Sequence, residues 1–315
     1  MTVLGTSDLD VFPLSFGGNV FGWTADRDAS FAVLDAFASG GGDFVDTADV
    51  YSAWGPGNSG GESETILGEW IAARRPTGLV VATKVSKHPE FPGLSAANVR
   101  AAAEASLRRL GVETIDLYYA HAEDDATPLE EMVAAFGALV SDGLIRYPAV
   151  SNFSAEKTLE WVRIATELGV AAPVATQPRY NLVDRAIERD VLPTAGDLGL
   201  AVIPYSALAS GFLTGKYRST DAAGQSSPRA GTAASYATTQ GLGILDALDA
   251  VADAHGVSVA SAALAWLRAK GTVPIASASR IEQVEGLLAG AMTPLSADEV
   301  ASLDAASDAY AAAAA

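Results

Sequence analysis

Short apolar runs rich in β-branched residues alternate with longer amphipathic stretches along almost the whole chain. The strand-like runs are LSFGG (14–18), DFVDTA (43–48), LVVATKV (79–85), TIDLYYAH (114–121), IRYPAVSN (145–152), PVATQ (173–177), LAVIPYS (200–206) and TVPIASA (272–278). Runs of this length predict strands, and the helical spacing of apolar positions between them predicts helices. Several helix ends are readable. SAANVRAAAEASLRRLG predicts a helix capped by Ser95 and stopped at Gly111. TPLEEMVAAFGALVSDG places Pro128 in a first turn, where a missing N–H costs nothing, and ends near Gly143. SAEKTLEWVRIATELG opens on Ser154, with Lys157 rather than an acidic residue three places on, so a cap is expected without a capping box.

Alternation of strand and helix predicts parallel strands covered by helices. Eight such units in 315 residues predict an α/β fold of the (β/α)8 TIM-barrel type, with residues 1–315 forming a single domain. A doubly wound open sheet is the runner-up, but it would need G-x-G-x-x-G directly after the first strand, and SFGGNVFGW lacks that spacing. Two regions break the pattern. Residues 1–13 read as a short N-terminal β-hairpin that would plug the barrel's lower end. Residues 214–236 are rich in Gly, Ser, Thr and Ala with no apolar period, and predict a flexible loop covering a ligand.

Composition narrows the field. A hydrophobic fraction of 49% supplies a large core. The absence of cysteine excludes disulfides, thiolate chemistry and iron–sulfur clusters. A net charge of −18 argues against nucleic-acid binding, which needs a basic face. The first ten residues show no signal-peptide pattern, and no apolar run reaches the ~18 residues of a membrane span. The expectation is a soluble cytoplasmic protein without a membrane or nucleic-acid partner; the oligomeric state is not readable.

In a barrel the active site lies at the C-terminal ends of the strands. Six successive predicted strands deliver polar residues there: Asp46 with Tyr51, Lys84, His121, Ser151 with Asn152, Gln177, and Tyr205 with Ser206. An ammonium beside a phenol favours the phenolate, so Lys84, held by Asp46, is expected to lower the pKa of Tyr51. The phenol then donates a proton to an oxygen gaining negative charge, with His121 orienting that oxygen. This is equipment for carbonyl reduction, and the hydride has to come from a nicotinamide cofactor.

DTADVY, the Lys of VATKV, the His of DLYYAH, VSNFS, QPRYNLVDR and YSALASGFLTGKY together resemble the aldo-keto reductases, in order and over nearly the full chain. The resemblance implies a barrel that binds NADP(H) in an extended conformation, with Tyr51 as general acid/base, Asp46 and Lys84 as its tuning pair and His121 as orienting partner. Asp49 has no part in that tetrad and reads as a turn residue. By the same resemblance Ser151, Asn152 and Gln177 hold the nicotinamide carboxamide, Tyr205 stacks on its ring, and Gly18 and Asn19 flank it. Ser206, Ala207, Leu208, Ser210, Gly211 and Lys216 follow the pyrophosphate. Ser277, Ser279, Arg280 and Gln283 meet the adenosine end. There the chain departs from the family pattern: Ser279 stands where Arg is common, so Arg280 is the candidate reader of a 2′-phosphate. NADP(H) is favoured, with NAD(H) or dual use as the alternative.

The expected substrate is a small carbonyl compound or the corresponding alcohol. Trp23, Trp54 and Phe212 are candidates to line its pocket with Tyr51 and His121. No metal is expected; HAEDD (121–125) as a metal site and Lys84 as a Schiff-base nucleophile are the weaker alternatives. A further alternative is a nucleotide-binding regulatory subunit resembling the channel-associated members of the family.

Overall fold

The computed structural model describes residues 1–220 and 227–314. Eight parallel strands form its centre: β1 (Ser15–Gly17), β2 (Phe44–Asp46), β3 (Val80–Val85), β4 (Ile115–Ala120), β5 (Ile145–Ser151), β6 (Ala175–Gln177), β7 (Ala201–Val202) and β8 (Ile275–Ala276). Each lies within one of the eight predicted runs. Their order in the sheet is β7-β6-β5-β4-β3-β2-β1-β8. The two ends of that order are also joined, because Val273 N donates to Val202 O and Ile275 N to Pro204 O, both at 2.9 Å. The architecture is an α/β fold on an eight-stranded, curled parallel sheet, consistent with the expected barrel.

The helices follow the strands: α1 (Arg27–Ser39), α2 (Glu62–Arg74), α3 (Ala96–Leu110), α4 (Leu129–Ser141), α5 (Ala155–Leu168), α6 (Val191–Asp197), α7 (Ala230–Ser235), α8 (Thr239–His255), α9 (Val259–Ala269), α10 (Val284–Met292) and α11 (Ala297–Ala314). Ser154 caps α5 by accepting from Lys157 N, and Gly111 ends α3 in the left-handed region at φ 67°. Two caps differ from expectation. Ser95 occupies the N-cap of α3 without a side-chain bond, and the Glu131 carboxylate accepts from Ala96 N instead. Pro128 is itself the N-cap of α4 rather than a first-turn residue.

Along each strand successive side chains point to opposite faces, and the core divides accordingly. Phe44, Val80, Ala82, Leu117, Tyr119, Ala149, Ala175 and Ile203 form an inner cluster. Val45, Val81, Val85, Tyr118, Ala120 and Val150 belong to the outer cluster, under the helices. The predicted N-terminal hairpin is present, Thr2–Val3 pairing antiparallel with Asp10–Val11. Its Leu4, Leu9 and Val11 join the inner cluster beside Phe44 and Val80 at the strands' N-terminal ends. The lower end is therefore plugged as expected.

Of the predicted 214–236 loop, residues 221–226 lie outside the described residues. The remainder is partly ordered into helix, since α7 buries Ala230, Ala233 and Ala234. An alanine run with its small side chains turned inward was not legible as a period of large apolar residues. Among the described residues no single helix is long and apolar enough to cross a membrane.

Close packing of α2 on α3 depends on Gly68, where a Cβ would lie 2.2 Å from Arg109 O. Two effects oppose one another in Gly68→Ala. Helix propensity favours Ala by about 1 kcal/mol, whereas overpacking against backbone costs about 1–3 kcal/mol. Net destabilisation is expected in urea denaturation. Gly243→Ala, on α8 with nothing within 4 Å of the new Cβ, is expected to stabilise.

Candidate active site

The strand period that builds the inner cluster also assembles the site. Asp46, Lys84, His121, Ser151, Gln177 and Tyr205 each stand two residues beyond an inner-cluster residue: Phe44, Ala82, Tyr119, Ala149, Ala175 and Ile203. They continue the same inward row at the open end. Lys84 and Asp46 are 0% and 1% exposed, with Lys84 Nζ 2.5 Å from Asp46 Oδ1. The ammonium also donates to Thr47 O at 2.7 Å and to Tyr51 Oη at 3.1 Å. Its three protons thus have three acceptors. Asp46 Oδ2 accepts from Gln177 Nε2 at 2.8 Å, which ties β6 to the pair. Burial pushes the Asp46 carboxyl up and the Lys84 amine down, and each partner's charge opposes that drift in the other. With the ammonium saturated, the geometry is that of an ion pair.

Tyr51 stands on the turn after β2, with its N–H on Ala48 O. Its phenol is pushed well above the ordinary value, first by burial and then by the charge of Asp46. This reverses the expectation that Lys84 would lower it. The positive charge of Lys84 is already countered at 2.5 Å, so burial is left as the dominant influence. Tyr51 is consequently a protonated donor at rest. His121 is held well below its ordinary pKa, by burial first and then by Lys84 and Lys87, so its ring is neutral. The ring centroid is 6.1 Å from that of Tyr51, and Nδ1 is buried without a partner.

A polar chain runs on from this centre. Ser151 Oγ donates to Gln177 O, Asn152 Nδ2 donates to His121 O and to Ser151 Oγ, and Tyr205 Oη donates to Asn152 Oδ1. Asn152 adopts φ 56°, a conformation sustained by those bonds. The expected cofactor residues Asn19, Tyr205, Ser206, Ala207, Leu208, Ser210, Gly211, Lys216, Ser277, Ser279, Arg280 and Gln283 all line one cavity of about 1420 Å³, together with Asp46 and Tyr51. Ser277 Oγ donates to Asn19 Oδ1 at 2.6 Å, and Gln283 Oε1 accepts from Ser279 N and Arg280 N.

Gly18 does not line this cavity, and Gly17 does. The backbone of Gly18 is committed elsewhere, its N–H to Asp46 O and its carbonyl to Ser63 Oγ. Ser151, Asn152 and Gln177 do not line this cavity: Ser151 and Gln177 are buried, whereas Asn152 is exposed. Trp54 meets Tyr51, with ring centroids 6.0 Å apart, and Trp23 meets Trp54 at 5.7 Å rather than Tyr51 itself. Phe212 is instead a core residue, fully buried against Tyr236. The acidic residues of HAEDD serve the loop: Glu123 and Asp125 pair with Lys157, and Asp124 accepts from Leu94 N and Thr127 Oγ1. Among the described residues no group of three or more acidic or histidine side chains is placed to hold a metal.

The sequence reading missed one residue altogether and the burial of another. Arg229 lines the cavity with its guanidinium over the Trp23 ring. Asp49 lies on a turn, as expected, but is wholly buried with neither carboxylate oxygen hydrogen-bonded. Around it are buried Glu64, which takes Thr83 Oγ1 and Arg109 Nε, and the unpartnered Tyr118 hydroxyl. Burial, reinforced by Glu64, pushes Asp49 up to about 8. A one-residue polar signal in a turn motif gives no hint of that burial.

The sequence profile of the Aldo/keto reductase family matches residues 13–308. The chain is 33% identical over 295 residues to "Uncharacterized oxidoreductase YrpG" of Bacillus subtilis, covering 90% of this chain and 88% of that one. It is 32% identical over 298 residues to a "Probable voltage-gated potassium channel subunit beta" of Arabidopsis thaliana, covering 90% and 88%. It is 31% identical over 329 residues to "Aldo-keto reductase ausK" of Aspergillus calidoustus, covering 96% and 80%.

The buried acid carries a pH prediction. A carboxyl whose folded pKa is raised leaves the native state most favoured below the unfolded value of about 3.9, and stability is lost as pH rises through the folded value near 8. Asp49→Asn keeps the shape of the protonated acid and removes the titration. In urea denaturation the variant is expected to exceed the parent in stability at pH 9, with a clearly smaller difference at pH 5. An equal difference at both pH values would contradict the assignment.

Proposed function

The chain belongs to the aldo/keto reductase family of oxidoreductases, and on that premise we propose that it reduces an aldehyde or ketone to the alcohol, and runs the reverse, with NADP(H). The observation that carries the reading is the Lys84 ammonium, fully buried and shared among Asp46 Oδ1, Thr47 O and Tyr51 Oη. Tyr51 lines the cavity beside that pair.

The cavity suits an extended dinucleotide in its donor set. Lys216 and Arg280 line it, and neither pairs with a carboxylate among the described residues. Bare cations in a chain of net charge −18 favour an anionic ligand. Lys216 and the 206–211 segment would hold the pyrophosphate, and Arg280 a 2′-phosphate, which favours NADP(H) over NAD(H). When bound, the cofactor supplies the hydride.

The protein's own part is proton transfer. Tyr51, protonated at rest, hydrogen-bonds the carbonyl oxygen and gives up its proton as charge gathers there. The phenolate left behind is met by Lys84 Nζ, 3.1 Å away, which is where the ammonium acts: it stabilises the conjugate base against the rise that burial and Asp46 impose on the phenol. Neutral His121, whose backbone carbonyl accepts from Asn152 Nδ2, would donate to the same oxygen. Asp46 and Gln177 fix the ammonium. The balance is one hydride to carbon and one proton to oxygen, with Tyr51 reprotonated from solvent.

The relatives named as potassium-channel β subunits favour a second reading, a nucleotide-binding regulatory module. Repeated turnover separates the two, because a sensor would hold its cofactor through many substrate encounters. Tyr51→Phe is expected to lose at least about tenfold in the rate of NADPH-dependent carbonyl reduction while keeping NADPH binding, followed by tryptophan fluorescence. Retention of more than about a tenth of the rate, under ~1.4 kcal/mol in the barrier, would remove Tyr51 from the role.

A further inference from the structure

Asp49 is a buried acid that proton transfer at Tyr51 leaves without a task, yet it sits on the turn that joins Asp46 to Tyr51. That turn is held to β3 twice through one residue. Asp49 N donates to Lys84 O at 3.3 Å, while the Lys84 ammonium donates to Thr47 O at 2.7 Å and to Tyr51 Oη at 3.1 Å. Tyr51 N turns back to Ala48 O at 3.1 Å, so the phenol is seated by a backbone segment that contains Asp49. A displacement of Asp49 is therefore passed to both ends of the Lys84–Tyr51 bond.

The Asp49 side chain lies off the cavity, with both oxygens buried and unpartnered among the described residues. The charged and titratable groups that face it are Glu64 on α2, Arg109 on α3, Lys84 on β3 and Tyr118 on β4. His88, on the short hairpin after β3, packs against Gly60 beside the Asp49 carbonyl. The donors in this set are committed elsewhere. Arg109 Nε serves Glu64 at 2.6 Å, and the Lys84 ammonium has its three acceptors on the inner face. Val50 N–H favours a charge on Asp49 without making a hydrogen bond. A neutral carboxyl tolerates this setting. An ionised one has a like charge beside it at Glu64 and an unmet need for donors, which is costly in a buried place. It gains by moving toward the unpartnered Tyr118 hydroxyl or by drawing Arg109 from Glu64, and the turn moves with it. Burial and Glu64 put that change at about 8.

We propose that Asp49 is a positioning residue for Tyr51: with its proton in place the turn seats the phenol on Lys84, and loss of that proton shifts the turn and unseats it. The inference rests on the reductase reading of Tyr51. A misplacement of about 1 Å can cost about 100-fold in rate, so a small shift of the turn suffices. Tyr51 itself is pushed well above its ordinary value, so its own ionisation lies at higher pH than that of Asp49. An acid with a purely structural role would change stability and leave the pH dependence of kcat alone.

The test follows kcat for reduction of 4-nitrobenzaldehyde at saturating NADPH against pH, with far-UV circular dichroism confirming that the fold persists. For the wild type kcat is expected to fall about tenfold between pH 7 and pH 9, as one deprotonation near 8 requires. Asp49→Asn keeps the shape of the protonated acid and is expected to match the wild type at pH 6.5 and to hold that rate at pH 9. Glu64→Gln removes the like charge and frees Arg109, and is expected to carry the midpoint to lower pH. Independently of turnover, the 13Cζ resonance of Tyr51, assigned with Tyr51→Phe, is expected to shift with the wild-type midpoint and to stay in place in Asp49→Asn. An alkaline loss that persists in Asp49→Asn overturns the proposal and assigns the titration to another group, such as Lys84. A midpoint unmoved in Glu64→Gln, or a Tyr51 resonance blind to the state of Asp49, overturns it too. If the wild type reduces no aldehyde, the reductase reading falls, while the Tyr51 resonance still decides whether Asp49 seats the phenol.

Discussion

A wholly buried ammonium must be given a counter-charge and acceptors, and meeting that need at Lys84 organises the open end of the sheet. Asp46 comes from the neighbouring strand, Thr47 contributes its carbonyl, Tyr51 arrives on the turn that follows, and Gln177 crosses from β6 to hold the second carboxylate oxygen. Breaking such a pair by removing one partner leaves an uncompensated buried charge, at a cost of about 3–5 kcal/mol. The same need therefore fixes the position of the Tyr51 phenol and, on the proposed function, ties activity to stability. It also explains why Tyr51 is not a ready-made phenolate. Lys84 is electrostatically occupied by Asp46, and only when the phenol loses its proton does its hydrogen bond to Tyr51 join two opposite charges.

The fold was legible because two periods run through the chain at once. The eight strand runs and their intervening helices could be read from apolar spacing, and the polar residues at the strand ends fell on the inward row because they follow Phe44, Ala82, Tyr119, Ala149, Ala175 and Ile203 by two. Alternation is a rigid rule in a parallel strand, so a site built from strand ends is readable to the extent that the strands are. What lay beyond the strands was less so. Gly18 and Gly17 are indistinguishable in sequence, and only the bond from Gly18 N to Asp46 O decides which one reaches the cavity. Phe212 belongs to a segment with left-handed residues at Ala209, Ser210 and Gly211, whose winding turns the ring inward; no periodicity encodes that. Arg229 follows a stretch without pattern, so its place over Trp23 could not be foreseen.

Asp49 shows the limit of reading charge from a motif. Within four residues the turn after β2 sends Asp46 to the inner face and Asp49 to the outer one, where Thr83, Glu64, Arg109 and Tyr118 gather between sheet and helices. The inner carboxylate has a cation at 2.5 Å. The outer one has two unpartnered oxygens, and Arg109 beside it already serves Glu64. The two acids share one sequence context and opposite electrostatic fates, because each takes its character from what the neighbouring strand and helix place opposite it.

That asymmetry extends to the cations. Lys84 is buried and saturated, so it contributes to chemistry without attracting ligand. Lys216 and Arg280 are exposed and line the long arm of the cavity, where a screened positive charge suits a phosphate. Arg229 is intermediate, partly buried on an aromatic wall with no acceptor among the described residues. Desolvation strengthens whatever ion pair it eventually makes and penalises its absence, which is the condition for discrimination rather than mere attraction. The position of a cation along this scale of burial thus sets how much of its charge is left over for a ligand.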